Sequence, residues 1–116
     1  MTFNDFANKY VGKVYSFRSF DCEHLVIDGL KSIYDISVNK LTDEHFVECQ
    51  KTDALFFACE DSGGTQCHVG LYNKNNYLHA VGNPSKEGQV LLTSASVFNL
   101  VFMKQYSKVR FYKWRW

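Results

Sequence analysis

Cys22 stands in the run Phe20-Asp21-Cys22-Glu23-His24-Leu25-Val26. Two histidines follow downstream, His68 in His68-Val69-Gly70-Leu71-Tyr72 and His79 in Tyr77-Leu78-His79-Ala80. A thiol, an imidazole and a group that orients the imidazole are the parts of a nucleophilic cysteine site. In such a site the sulfur attacks an amide carbon and a thioester forms. The imidazole takes the thiol proton and returns it to the leaving amine. Two effects would lower the pKa of Cys22: the positive end of its helix and a nearby imidazole. The Cys22 backbone N–H, at a helix start, would donate to the oxyanion of the tetrahedral intermediate. His79 would accept a hydrogen bond from the second nitrogen of His68 and so fix its tautomer.

The elements that must position these groups are legible in the pattern. Phe3, Phe6, Ala7, Tyr10 and Val11 recur at helical spacing, with Thr2 or Asn4 as cap and Gly12 as stop. Asp21 is a good N-cap for a second helix over 22–34, whose apolar stripe is Leu25, Val26, Leu30 and Ile33, with Cys22 on the same side. Gly29 costs that helix about 1 kcal/mol against alanine and suits close packing. Residues 42–49 read as a short capped helix. Strands follow over 54–58, 67–72, 77–81, 89–92 and 109–116, with turns at 61–64, 73–76 and 82–85 and a short helix over 94–102. Helices first and strands afterwards predict an α+β domain, its N-terminal helices packed on a mostly antiparallel sheet of about five strands.

The hairpin register carries the chemistry. If Tyr72 pairs with Tyr77, Gly70 faces His79 and His68 faces Val81. The two histidines are then diagonal neighbours on one face, roughly 7–8 Å apart at the backbone. A loop one residue longer or shorter would put them on opposite faces.

The 116 residues make one domain, 1–116, that is 46% hydrophobic and 16% aromatic, a globular composition. A net charge of +1 provides no field for nucleic acid, and the Lys113/Arg115 alternation reads as the solvated face of an edge strand. No apolar run is long enough to span a bilayer. Met1-Thr2-Phe3-Asn4-Asp5 lacks the features of a secretion signal, so the chain is expected to be made in a cytosol and to stay there or leave by another route. The four cysteines, Cys22, Cys49, Cys59 and Cys67, show neither a disulfide framework nor zinc-ligand spacing. Cys49, Cys59 and Cys67 read as structural, and His24 and His45 as solvated residues on helices. No cofactor or metal is expected.

Each piece also has a bland reading: a lone cysteine is most often a small buried hydrophobe, and strand histidines often face solvent. Order, element and face agree only when the three are taken together. The chain resembles the NlpC family of papain-like cysteine peptidases. The resemblance rests on Tyr10-Val11-Gly12-Lys13-Val14-Tyr15, Asp21-Cys22, Thr52-Asp53-Ala54-Leu55-Phe56-Phe57, His68-Val69-Gly70-Leu71-Tyr72 and Leu78-His79-Ala80, in that order. It implies the papain-like NlpC fold, with Cys22 as nucleophile, His68 as base, His79 as orienting residue and Tyr15 beside the nucleophile. It further implies hydrolysis of amide bonds in peptidoglycan stem peptides. Small size and the lack of an export signal resemble members carried on bacteriophage tails, which implies a virion protein delivered to the cell wall or periplasm, with other phage tail proteins as partners. Two segments depart from the family pattern. Glu23-His24 replaces Ser-Gly after the cysteine, and Ser16-Phe17-Arg18-Ser19-Phe20 replaces a Trp-Gly-Gly stretch. Alternative readings are a non-catalytic structural or adaptor protein of the same fold, a type VI secretion amidase effector, and a protein-directed protease.

Overall fold

The computed structural model describes residues 1–15, 22–83 and 86–116. The chain order is α1 (Phe3–Tyr10), β1 (Val14–Tyr15), α2 (Cys22–Tyr34), β2 (Phe46–Glu48), β3 (Phe56–Glu60), β4 (Gln66–Asn73), β5 (Asn76–Asn83), β6 (Lys86–Ser94), α3 (Ala95–Val97) and β7 (Lys108–Trp114). The strands form one seven-stranded sheet in the order β1-β6-β5-β4-β3-β7-β2. Every pairing is antiparallel. The α+β expectation holds, with two strands more than expected because β1 and β2 are only two and three residues long.

Thr2 caps α1 in both directions: its hydroxyl accepts from the Asp5 N–H at 3.0 Å, and the Asp5 carboxylate accepts from the Thr2 N–H at 3.3 Å. Phe3, Phe6 and Ala7 are buried, and the helix stops before Gly12, which sits at φ +87°. The second helix spans the expected residues, while its Asp21 cap lies outside the described residues. Leu25, Val26 and Leu30 are fully buried, each worth about 1.5–3 kcal/mol. A Cβ on Gly29 would come within 2.2 Å of Leu71 Cδ1, so glycine is what lets α2 lie on β4.

The sheet has two covered faces. Phe56, Ala58, Val69, Leu71, Leu78, Ala80 and Val90 pack against α1 and α2. Phe57, Cys59, Tyr72 and Tyr77 point the other way, under Phe98, Phe102, Met103 and Tyr106. That second cover is the short helix expected over 94–102. It consists of α3, a π turn over Phe98–Phe102 and a 3-10 turn over Met103–Gln105.

Residues 42–49 correct the sequence reading. The chain makes only a single turn there, in which the His45 and Phe46 N–H groups both donate to the Thr42 carbonyl. The chain then extends as β2, because Phe46 is buried edge-on against Phe56 and Trp114. Packing overrides local propensity there. Since β2 pairs with β7, the edge strand is β2 and not the Lys113/Arg115 strand. Arg115 ties the turn down by donating to the Asp43 and Glu44 carbonyls at 2.7 and 3.2 Å. Nor is His45 a solvated helix residue: it stacks on Trp114 at 5.8 Å, with Nδ1 buried. Cys59 is buried as expected. Cys67 is exposed because the β3–β4 pairing slips at Cys59/Glu60, and Cys49 is half-buried.

Candidate active site

The two-residue turn between β4 and β5 sets the position of the histidines. Lys74 and Asn75 sit at φ +46° and +67°, the signature of a type I′ hairpin turn. The Asn75 N–H donates to the Tyr72 hydroxyl at 3.2 Å, and that hydroxyl donates to Asn75 Oδ1 at 3.0 Å. The turn therefore pairs Tyr72 with Tyr77 and Leu71 with Leu78, the expected register. His68 and His79 fall diagonally on one face, with His68 Nε2 and His79 Nδ1 2.9 Å apart.

Between them lies Gly70, where a Cβ would meet the Phe57 ring at 2.6 Å and His79 Cβ at 2.8 Å. The missing side chain lets the Phe57 ring sit beneath both imidazoles, its centroid 6.1 Å from each. Phe98 and Phe102 cover His79 at 5.7 and 4.9 Å. The π turn brings both phenyl rings onto one imidazole, and such turns recur at functional sites. His79 is fully buried and His68 half-buried. Burial pushes His68 down to about 4. Burial, and after it the charge of His68, push His79 down to about 3. Both rings are neutral at physiological pH, so their shared hydrogen bond carries one proton.

Cys22 opens α2 and packs, half-buried, against the helical side of the core. Gly29 lies against Leu71, and Cys22 is seven residues back, about 10 Å along a helix. His68 is three residues back from Leu71, also about 10 Å along a strand. α2 runs with β4, since Tyr34 at its far end hydrogen-bonds Asn73 at the far end of β4, so the thiol and the imidazole are level. Electrostatics agrees: burial raises the Tyr106 hydroxyl first, and Cys59, Cys67 and a thiolate on Cys22 would add to it, as Cys22 would also add to the burial that raises Cys59. Cys59 is the strand partner of His68, and the Tyr106 ring stacks on His68 at 5.9 Å with 7° between the planes. Sulfur and imidazoles therefore belong to one end of the sheet, the sulfur on its helical side and the imidazoles on the opposite face with Phe57 and Phe98. Burial raises Cys59 to about 12, with Cys67 and Cys22 adding to the effect, so Cys59 is an inert thiol. Tyr15 pairs with Gly88 through β1, while its side chain lies outside the described residues. So does the segment 16–21.

Two residues of this site went unnoticed in the sequence. Tyr106 stacks on His68, and Thr93, only 6% exposed, places its hydroxyl 2.9 Å from His79 Nε2. Beside them on the histidine face, a groove of about 440 Å³ is lined by Gly12, Val14, Val81, Gly88, Gln89 and Leu91. Leu91 is the strand partner of His79, so the groove begins next to the imidazole pair.

No protein-family model matches the sequence, and no curated protein matches it. Among solved structures the chain is similar to the crystal structure of the NlpC/p60 domain of the peptidoglycan hydrolase SagA. The TM-score is 0.55 at 21% identity, over 82% of this chain and 88% of that one. The likeness establishes the NlpC/p60 fold.

Proposed function

We propose that the chain is a cysteine peptidase that cleaves amide bonds of peptidoglycan stem peptides. The observation that carries this reading is the His68–His79 pair, its ring nitrogens 2.9 Å apart and covered by Phe57, Phe98 and Phe102, at the strand end level with Cys22 at the start of α2. Similarity of the fold to a peptidoglycan hydrolase domain supports the substrate class.

In this reading His68 Nδ1, left over after Nε2 is spent on His79, takes the Cys22 thiol proton. A neutral imidazole is the form able to do so, and the thiolate formed beside it stabilises the imidazolium. The Cys22 sulfur bonds to the amide carbon, and the Cys22 N–H at the helix start donates to the oxygen that becomes negative. Breaking the carbon–nitrogen bond moves the His68 proton to the leaving amine. Water, deprotonated by His68, then attacks the thioester, releasing the acid and restoring the thiol. Stacking on Tyr106 and the bond to His79 hold the His68 plane through both steps. The groove of about 440 Å³ beside His79 has the size and open shape for a short peptide.

The test is incubation of the purified protein with muropeptides, followed by mass spectrometry of the products. The parent should release new amine and acid termini, and Cys22→Ala should release none. Equal cleavage by parent and Cys22→Ala would remove the thiol from the reaction and the proposal with it.

A further inference from the structure

The hydrogen-bond chain does not end at the second histidine. Thr93 Oγ1 lies 2.9 Å from His79 Nε2, and His79 Nδ1 lies 2.9 Å from His68 Nε2. All three groups come from adjacent strands, β6, β5 and β4, and each contact spans a diagonal of the sheet. Each neutral imidazole has a single N–H, so only two proton arrangements satisfy both contacts.

In the first, Thr93 accepts from His79 Nε2–H, His79 Nδ1 accepts from His68 Nε2–H, and His68 Nδ1 keeps a lone pair. In the second, the Thr93 hydroxyl donates to His79 Nε2, His79 Nδ1–H donates to His68 Nε2, and His68 Nδ1 carries the proton. Only the first leaves His68 Nδ1 able to receive a proton from a thiol. Among the described residues, the other rings against His79, those of Phe57, Phe98 and Phe102, offer only hydrocarbon.

We propose that Thr93 is a positioning residue: by accepting from His79 Nε2–H it sets the tautomer of both histidines and leaves His68 Nδ1 unprotonated. This role rests on the reading of His68 as general base. Threonine suits the position because its hydroxyl is short, buried and held by a stiff β-branched side chain, so the oxygen is fixed without a charge. A carboxylate there would draw a proton onto the pair and place charge against the Phe57, Phe98 and Phe102 rings. With valine, the His79 Nε2–H would be buried against a methyl group. Orphaned buried N–H groups are avoided more strongly than unpaired acceptors, so the proton should move to Nδ1 and the whole chain should reverse.

The experiment is two-bond ¹⁵N–¹H spectroscopy of the histidine-labelled protein at pH 7, which reports which nitrogen of each ring carries hydrogen. It is run on the parent, Thr93→Val and Thr93→Ser, alongside muropeptide kinetics. The parent should show Nε2–H on both His68 and His79, and Thr93→Val should show Nδ1–H on both. With that switch, kcat should fall about 10–100-fold, the size typical of losing the outer hydrogen-bond partner of a functional histidine, while KM stays within about twofold. Thr93→Ser should restore both the tautomers and kcat. A parent spectrum with Nδ1–H on His79 overturns the proposal without any variant, and so does a Val spectrum identical to that of the parent. If the tautomers switch as described but the parent cleaves no muropeptide, the peptidase reading fails while the Thr93 assignment stands.

Discussion

Lowering the pH from 7 to 5 should cost this fold about as much stability as a large core mutation. His68 and His79 have folded values of about 4 and about 3, both below the ordinary 6.5. Between pH 6.5 and those values the folded imidazoles are neutral while the unfolded chain carries protons on them. The unfolded state binds more protons, so stability falls as the pH drops through this window and levels off below the folded values. At pH 5 each histidine is about 1.5 pH units below its unfolded value, and at about 1.36 kcal/mol per unit that makes about 2 kcal/mol each. The pair together should remove about 4 kcal/mol, against a total of about 5–15 kcal/mol for an ordinary domain. The carboxylates Asp5 and Asp35, whose pKa values are lowered by hydrogen bonds to Thr2 and Lys31, lose their effect only at lower pH. The window from 6.5 to 5 therefore isolates the imidazoles. Urea unfolding at pH 7 and pH 5 should show the midpoint falling by at least about 1 M, given slopes of about 1–3 kcal/mol/M. Histidine titration followed by NMR on the folded protein should leave both rings neutral at pH 5. Equal midpoints at the two pH values, or a titration of His79 near 6.5, would refute the burial of a neutral pair.

Three further outcomes follow from the packing. Gly29→Ala should destabilise by about 1–3 kcal/mol in chemical denaturation despite the better helix propensity of alanine, because its Cβ would sit 2.2 Å from Leu71 Cδ1; Leu71→Ala should relieve the clash in the double variant. Tyr106→Phe keeps the ring on His68 and should hold kcat within about threefold, while Tyr106→Ala frees the imidazole and should lower kcat at least about tenfold, as misplacement of a catalytic group does. In Gly88→Ala the added carbon would fall 1.6 Å from the Val81 carbonyl oxygen, so the β5–β6 pairing must shift and the His79–Thr93 contact must break, visible as an altered His79 spectrum and a lower melting temperature.

How much of this was legible depended on whether short-range chemistry decided the outcome. The second helix could be read with its limits because the stripe of Leu25, Val26 and Leu30 meets the core on a simple period. The hairpin register could be read because Lys74 and Asn75 form a two-residue turn, which leaves one pairing for Tyr72 and Tyr77. The β2 strand could not, because one turn closes on the Thr42 carbonyl and only the packing of Phe46 on Phe56 and Trp114 extends the chain afterwards. Tyr106 was invisible for a related reason. Its place over His68 depends on how the π turn and the 3-10 turn carry the chain across the sheet, and neither has a periodic signature.

Thr93 shows why such a residue escapes counting. At the far end of the β5–β6 hairpin Asn83 pairs with Lys86, and continuing that register inward would set His79 opposite Val90. Thr93 would then point to the helical side of the sheet, away from the imidazole, since a shift of one residue reverses every side chain. The pairing instead slips by one between Asn83 and Val81, so that Val81 faces Gln89 and His79 faces Leu91. That slip turns Thr93 onto the histidine face. It is possible because Gly88 has no side chain where the Val81 carbonyl crosses its path. A glycine at one end of a hairpin thus determines which hydroxyl meets the second histidine at the other end. The first hairpin brings the imidazoles together through its turn, and the second completes their hydrogen-bond chain through a bulge. The proton arrangement on His68 accordingly depends on the register of three strands at once.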